Sequence, residues 1–370
     1  MPASIVHMLI SKQVRERLGG HRDHNMAAFV EGVMNAHHRV MEFGALGPDI
    51  PYYQSLLRIL VNAALERPDK PMGVDPWSFQ LHSKDPNTFP LRMIEIIWEE
   101  DPEKDWDDQD KELLAFVCGF LTHMAADQII HPVVNRIAGS YYKSGTARLT
   151  HRQCEICQDI YALSGPEHEL PRDAFLDRFD TWCDPTSEGG GFSLRPFRQS
   201  LPVRLTYLIQ KSLVEAHAVA PSERVVNSWA RGTLFILRVC NHTPLYKNPY
   251  RKLFTPAGKL IEGDEYRRYI LLEPGAPSQP YDGRTYDFFF EQAVQLAMAY
   301  VEATFQLYRL DDLVPEDRAR FLEVVRNADL SSPLEHDILQ TAQSKLAELR
   351  AYVDTRVAGQ RKPAIAEGVA

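Results

Sequence analysis

Strand patterning is nearly absent from this 370-residue sequence. The one stretch that alternates, KLIEGDEYRRYILLE (259–273), suits a short hairpin or an irregular excursion, which excludes a sheet-based fold. Cysteine is also scarce: five residues, Cys118, Cys154, Cys157, Cys183 and Cys240, an odd and scattered set that excludes a disulfide framework. Cys154 and Cys157 form a CxxC with no second CxxC beside it, so they are expected to be plain core thiols. Positive charge is in deficit, 41 Lys and Arg against 50 Asp and Glu, a net charge of −9 that gives no general attraction to nucleic acid or anionic membranes. No apolar run is long and clean enough to be read as a membrane span; YDFFFEQAVQLAMAYVEATFQLY (286–308) is interrupted by Asp287, Glu291 and Glu302. The start of the chain lacks a basic leader and an apolar signal core, so a cytoplasmic location is the default expectation. There is no internal repeat.

What is present is helical spacing. Apolar residues recur at three- and four-residue intervals over about 25–42, 52–66, 90–99, 109–138, 148–163, 201–218, 222–240, 285–309, 315–327 and 333–357. Two Pro- and Gly-containing stretches, 164–200 and 242–284, read as loops, and the tail from about 359 lacks periodicity. The expected architecture is all-α, a multi-helix domain over 1–310 with loop insertions, followed by a helical appendage and disordered tail over 311–370.

The segment FVCGFLTHMAADQIIHPVVN (116–135) is apolar yet carries His123, Asp127 and His131, each four residues from the last. Residues four apart are rotated by only about 40° on a helix, so the three line one face. Buried His and Asp are costly unless hydrogen-bonded or bound to metal, and three in one apolar stripe point to metal. The spacing recurs in LTHRQCEICQDIY (149–161), where His151, Glu155 and Asp159 follow at four-residue steps; His and Glu so placed can share one ion, such as zinc. FGALGPDIPYY (43–53) sets Asp49 on a rigid Gly-Pro turn, FQLHSKDPNTF (79–89) puts His82 in a similar bend, and His7 lies near the amino terminus.

In order along the chain, an early His, GPD, a lone His, HxxxD, HP and HxxxE resemble the zinc-dependent phospholipase C family, which is related to fungal single-strand-specific zinc nucleases. GALGPD and HMAADQIIHP are closest in wording to its bacterial branch. The resemblance is ordered through residues 1–160, thins to helix pattern over 200–310, and does not reach 311–370. It implies up to three zinc ions in one cleft of an α-helical domain. Carried over, Asp49, His82, His123 and Asp127 would hold one ion, and His131, His151 and Glu155 a second. His7 and a bridging Asp127 would hold the third with the terminal amine, expected to be that of Pro2 after loss of Met1. One departure is that Asp127 and His131 are four residues apart, where the secreted members have six.

Clustered zinc suits phosphate ester hydrolysis. The implied activity is that of a phospholipase C-like phosphodiesterase acting on a small-molecule or lipid phosphodiester. Asp49 is the expected general base or, equally, a ligand; Asp159 is expected to orient His151. Tyr52 and Tyr53 flank the GPD turn and could line the substrate cleft, while Arg195, Arg198 and Arg204 follow a Gly-rich stretch and could grip phosphate. Iron or manganese would accept similar ligands. Two alternatives stay open: a nuclease, for which the sequence shows no dense basic patch, and a metal-stabilised scaffold without an open coordination position.

Overall fold

The computed structural model describes residues 4–55, 76–101, 106–139, 145–164, 201–242, 264–272, 283–328 and 337–360. The loops expected at 164–200 and 242–284, and the tail, fall mostly outside these residues. Every regular element among them is helical. In chain order they are α1 (Ser4–Gly19), α2 (His24–Phe29), α3 (His38–Gly44), α4 (Pro76–Ser83), α5 (Thr88–Glu100), α6 (Asp108–Ala138), α7 (Gly145–Ser164), α8 (Val203–His217), α9 (Glu223–His242), α10 (Asp264–Tyr269), α11 (Tyr286–Tyr308), α12 (Pro315–Val324) and α13 (Ile338–Gln360). A π-helical stretch, Val30–Asn35, interrupts the single helix expected over 25–42, and a 3-10 stretch, Gly47–Ser55, follows α3.

Three expectations need correction. The N-terminal segment, not expected to be helical, forms α1, whose stripe of Val6, Ile10, Val14 and Leu18 is buried. The stretch expected as a short hairpin or an irregular excursion contains the short helix α10. His82 is not in a bend but in the last turn of α4, which begins at Pro76, a residue suited to the first turn of a helix because its missing amide needs no partner there.

The centre of the fold is α6. Its 31 residues begin with a capping box in which the Asp107 side chain accepts from the Asp110 amide and Asp110 reaches back to the Asp107 amide. From Leu113 to Ile130 no residue of it is exposed to solvent. By length and composition α6 could cross a membrane, yet the whole of its most apolar window is buried inside the protein, as befits a core helix. Helices α1, α3, α5, α7 and α11 pack around it. Cys118 sits in this core, where burial pushes its thiol up to about 12; Cys154 and Cys157 are likewise buried and form no disulfide. Arg204, read as a possible phosphate grip, is instead spent on the start of α6, where it pairs with Asp110 and Asp107.

The crossing of α3 and α6 is made backbone to backbone. A Cβ on Gly119 would stand 1.9 Å from the Met41 carbonyl oxygen, and one on Gly44 would stand 2.2 Å from that of Phe116. Only glycine permits this approach, which brings the carbonyl at the end of α3 onto the flank of α6 beside His123. On the far side, α12 and α13 pack against α11 and share its buried cluster through Phe321, Val324, Ile338, Ala342, Leu346, Leu349 and Val353.

Candidate metal centre

Five imidazoles and three carboxylates meet on one flank of α6. Helix α6 supplies His123, Asp127 and His131; α7 supplies His151 and Glu155; α1 supplies His7; α4 supplies His82; and the 3-10 stretch supplies Asp49. All eight are buried. Potential ligand atoms fall into three groups, His7–Asp49–His123, His82–His123–Asp127 and His131–His151–Glu155, each with its atoms within 4.8 Å of one another.

Asp127 joins them. Its Oδ2 lies 3.1 Å from His123 Nε2 and 3.6 Å from His82 Nε2, while its Oδ1 lies 3.1 Å from His131 Nε2 and 3.5 Å from His7 Nε2. One carboxylate thus presents an oxygen to each side of the centre. On one side Asp49 Oδ1 is 3.3 Å from His82 Nε2. On the other, Glu155 Oε1 is 3.0 Å from His151 Nε2 and 3.7 Å from His131 Nε2. His7, expected to share a third site with Asp127, lies 3.5 Å from its Oδ1; it is also grouped with Asp49 and His123 and stacks on the His123 ring at a centroid distance of 3.9 Å. The terminal amine lies outside the described residues.

The environment fixes which nitrogens face inward. His123 Nδ1 donates to the Ala45 carbonyl at 2.8 Å, a contact the glycine crossing makes reachable. His82 Nδ1 donates to the Ser78 carbonyl at 2.6 Å. In the neutral rings both Nε2 atoms are lone-pair acceptors, and they face each other at 3.4 Å, an approach that calls for a shared proton or a metal ion. Ser78 also donates its hydroxyl to the Pro48 carbonyl at 2.8 Å, pinning the Gly-Pro turn that carries Asp49. Asp49 Oδ2 is buried with no hydrogen-bond partner among the described residues. An inward donor set of this kind, with an orphaned carboxylate oxygen, fits a bound metal ion.

The titration pattern has the same origin. Burial, then the stacked His123, push the His7 imidazole well below its ordinary value. Burial alone would lower His131 too, but the Asp127 and Glu155 carboxylates outweigh it and lift it to about 9. For Asp127 burial works upward, yet His123 and His131 prevail and hold its carboxyl well below the usual range.

Asp159, expected to orient His151, does something else. Eight residues span about 12 Å of helix axis, too far along α7 for that contact. Its Oδ1 accepts the Val6 amide at 2.9 Å, fastening the first turn of α1, and with it His7, to α7. Tyr52 is half-buried with its ring centroid 6.1 Å from that of His82; the Tyr53 side chain lies outside the described residues, as do Arg195 and Arg198. Sequence reasoning missed Ser78, although it stands four residues before His82 on the same helix face. It also missed Gln128, directly after Asp127, which bonds to the far C-terminal part of the chain.

Residues 6–188 match the family model described as zinc dependent phospholipase C, and the chain belongs to that family. The eight-residue donor set lies inside the matched stretch, and the family makes the chain a metal-dependent hydrolase with a candidate metal site. No curated protein and no solved structure matches it.

Proposed function

We propose that the chain is a phosphoric ester hydrolase, a phospholipase C-like phosphodiesterase, working at a multinuclear zinc centre. The observation that carries this reading is Asp127, whose two oxygens face two donor groups, His82–His123 with Asp49 and His131–His151–Glu155. In this reading those groups hold one ion each, and His7 contributes to a third. Zinc so bound supplies Lewis acidity, lowering the pKa of water and polarising phosphoryl oxygens.

The chain's own residues do the rest. The Asp49 carboxylate is fixed at its backbone, where its amide donates to the Leu46 carbonyl at 2.9 Å, and through the Ser78–Pro48 bond next to it. Its unpartnered Oδ2 can take a proton from an attacking water, which makes Asp49 the general base. Burial of the surrounding imidazoles excludes competing solvent and strengthens every charge interaction at the centre. Tyr52, beside His82, is the residue this reading assigns to contact a small-molecule or lipid phosphodiester, with Tyr53 next to it in sequence.

Hydrolysis of bis(p-nitrophenyl) phosphate by zinc-loaded protein tests the reading. Asp49→Asn should lower turnover by about 10²–10⁴-fold while zinc on His131, His151 and Glu155 is retained. Full turnover with Asn at position 49 would remove the base role, and no hydrolysis of any phosphate ester by the zinc-loaded protein would remove the hydrolase reading.

A further inference from the structure

Two imidazoles of the centre are oriented by bonds at their own rings, and His7 is not. His123 and His82 each donate Nδ1 to a carbonyl, that of Ala45 or Ser78, which sets the direction of Nε2. The Nδ1 of His7 is buried with no hydrogen-bond partner among the described residues, although its Nε2 lies 3.5 Å from Asp127 Oδ1. Its ring is positioned by packing, stacked on His123 with an interplanar angle of 12°. The place of His7 in the centre is therefore decided by its backbone, which is to say by how α1 begins.

Helix α1 starts at Ser4, and the first amides of a helix have no partner within it. A side chain just ahead of a helix commonly accepts from them, but the residue there in sequence is Ala3, which carries no acceptor. The acceptor comes from another helix. Asp159 Oδ1 on α7 takes the Val6 amide at 2.9 Å, and the Ile5 amide bonds to the same carboxylate. Asp159 is buried, and the amide it takes belongs to the residue directly before His7. It stands one turn beyond Glu155, about 6 Å along α7. Helix α7 thus delivers His151 and Glu155 to the centre itself and also fixes the backbone from which His7 reaches Asp127 and His123.

We propose that Asp159 is a positioning residue for the metal ion on His7: by accepting the first-turn amides of α1 it holds His7 where it can share that ion with Asp127. This rests on the multinuclear zinc reading above. Asp159 acts on the ion through the backbone of one ligand, so its loss is read at one ion and not at all of them. Outer partners that orient a metal ligand typically set metal affinity by about 10–100-fold.

Zinc titration against a chromogenic zinc indicator, with no substrate present, tests the role. His7→Ala identifies the ion on His7 as the class of bound zinc that it weakens. Asp159→Ala should weaken that same class by about tenfold or more and leave zinc on His131, His151 and Glu155 within about twofold. The double variant should be no weaker than His7→Ala alone, because both changes act on one ion. Asp159→Asn keeps an acceptor oxygen and should recover most of the loss. An unchanged titration in Asp159→Ala, an equal loss in every class, or an Asn variant as weak as the Ala variant would overturn the proposal. If the Ala variant does not fold, hydrogen exchange of the unmodified, metal-free protein decides: the Val6 amide should be protected like those in the core of α6, and free exchange there would overturn the role. If His7→Ala loses no zinc, His7 holds no ion and the role falls, while the hydrolase reading, which needs only the two groups joined by Asp127, stands. The expected zinc pattern without hydrolysis of any phosphate ester would keep the role and remove the hydrolase reading.

Discussion

Around α12 and α13, buried carboxylates face arginines: Asp317 pairs with Arg356, Glu302 receives Arg350 with Nη2 at 2.6 Å, and Glu95 on α5 is held between Arg92 and Arg318. Around Asp127, three carboxylates face imidazoles, and no Lys or Arg among the described residues pairs with Asp49, Asp127 or Glu155. Both regions bury acids, and burial of an acid demands compensation. A guanidinium carries its charge at every accessible pH and brings five donors, so each of these acids has a permanent positive partner, even though Asp317 Oδ1 is buried without a hydrogen-bond partner among the described residues. An imidazole carries its charge only while protonated, as His131 does below about 9, so the positive charge around Asp127 is titratable where that of a guanidinium is permanent. Three carboxylates thus face no permanent cation among the described residues, and a metal ion would supply one.

Removing one acid from each region should sharpen this contrast. Asp127→Ala strips a buried carboxylate from four surrounding imidazoles and should cost about 3–5 kcal/mol, with loss of zinc from both sides of the centre. Asp317→Ala should cost less, because Arg356 is partly exposed and can turn to water, and zinc content should not change. Chemical denaturation with metal analysis on both variants checks the pair. Equal stability costs with zinc retained in both would break the comparison.

The pH dependence should differ between the regions as well. In metal-free protein the folded-state value of His131 is about 9, above its ordinary value, so the His131–Asp127 pair stabilises fully below about 6.5 and loses that stabilisation as pH rises through about 9. Zinc must displace the same proton. The apparent affinity for the ion on His131 should rise with pH up to about 9, and its binding at neutral pH should release that proton, measurable by calorimetry in buffers of different ionisation heat. Arginine pairs at α13 should show no such step.

The smallest effect belongs to the surface side of α13. Arg350→Met removes the partner of Glu302, but the Arg350 side chain is 44% exposed, so the loss should stay within about 1 kcal/mol. Thermal unfolding at low and high salt checks it. A cost several times larger would show that exposed arginine pairs bear more of the fold than screening allows.

Where a helix shows water one face, its pattern was readable; where it is enclosed, the pattern blurs. In α13 the buried residues Ile338, Ala342, Leu346, Leu349 and Val353 keep helical spacing against an exposed polar side, and the expected helix covers most of it. In α1, Ile5 and Met8 are buried beside the main stripe because α3, α6, α7 and α11 contact it from several directions, so periodicity gave no clear face. The donor residues stood out by the opposite logic, since ionisable groups at four-residue steps in apolar helices have few structural uses. Ala45, Ser78, Gln128 and Tyr300 did not stand out. Their roles depend on which chain segments meet, at a glycine crossing and at a hydrogen-bonded ring joining residues 128, 300 and 326, and local spacing carries no record of either.

The most direct test of the metal centre is the metal content of protein purified without chelator, by elemental analysis against protein concentration. The expected result is two to three equivalents of transition metal per chain, mostly zinc, on His7, Asp49, His82, His123, Asp127, His131, His151 and Glu155. Less than about half an equivalent, with no uptake on zinc addition at neutral pH, would contradict it.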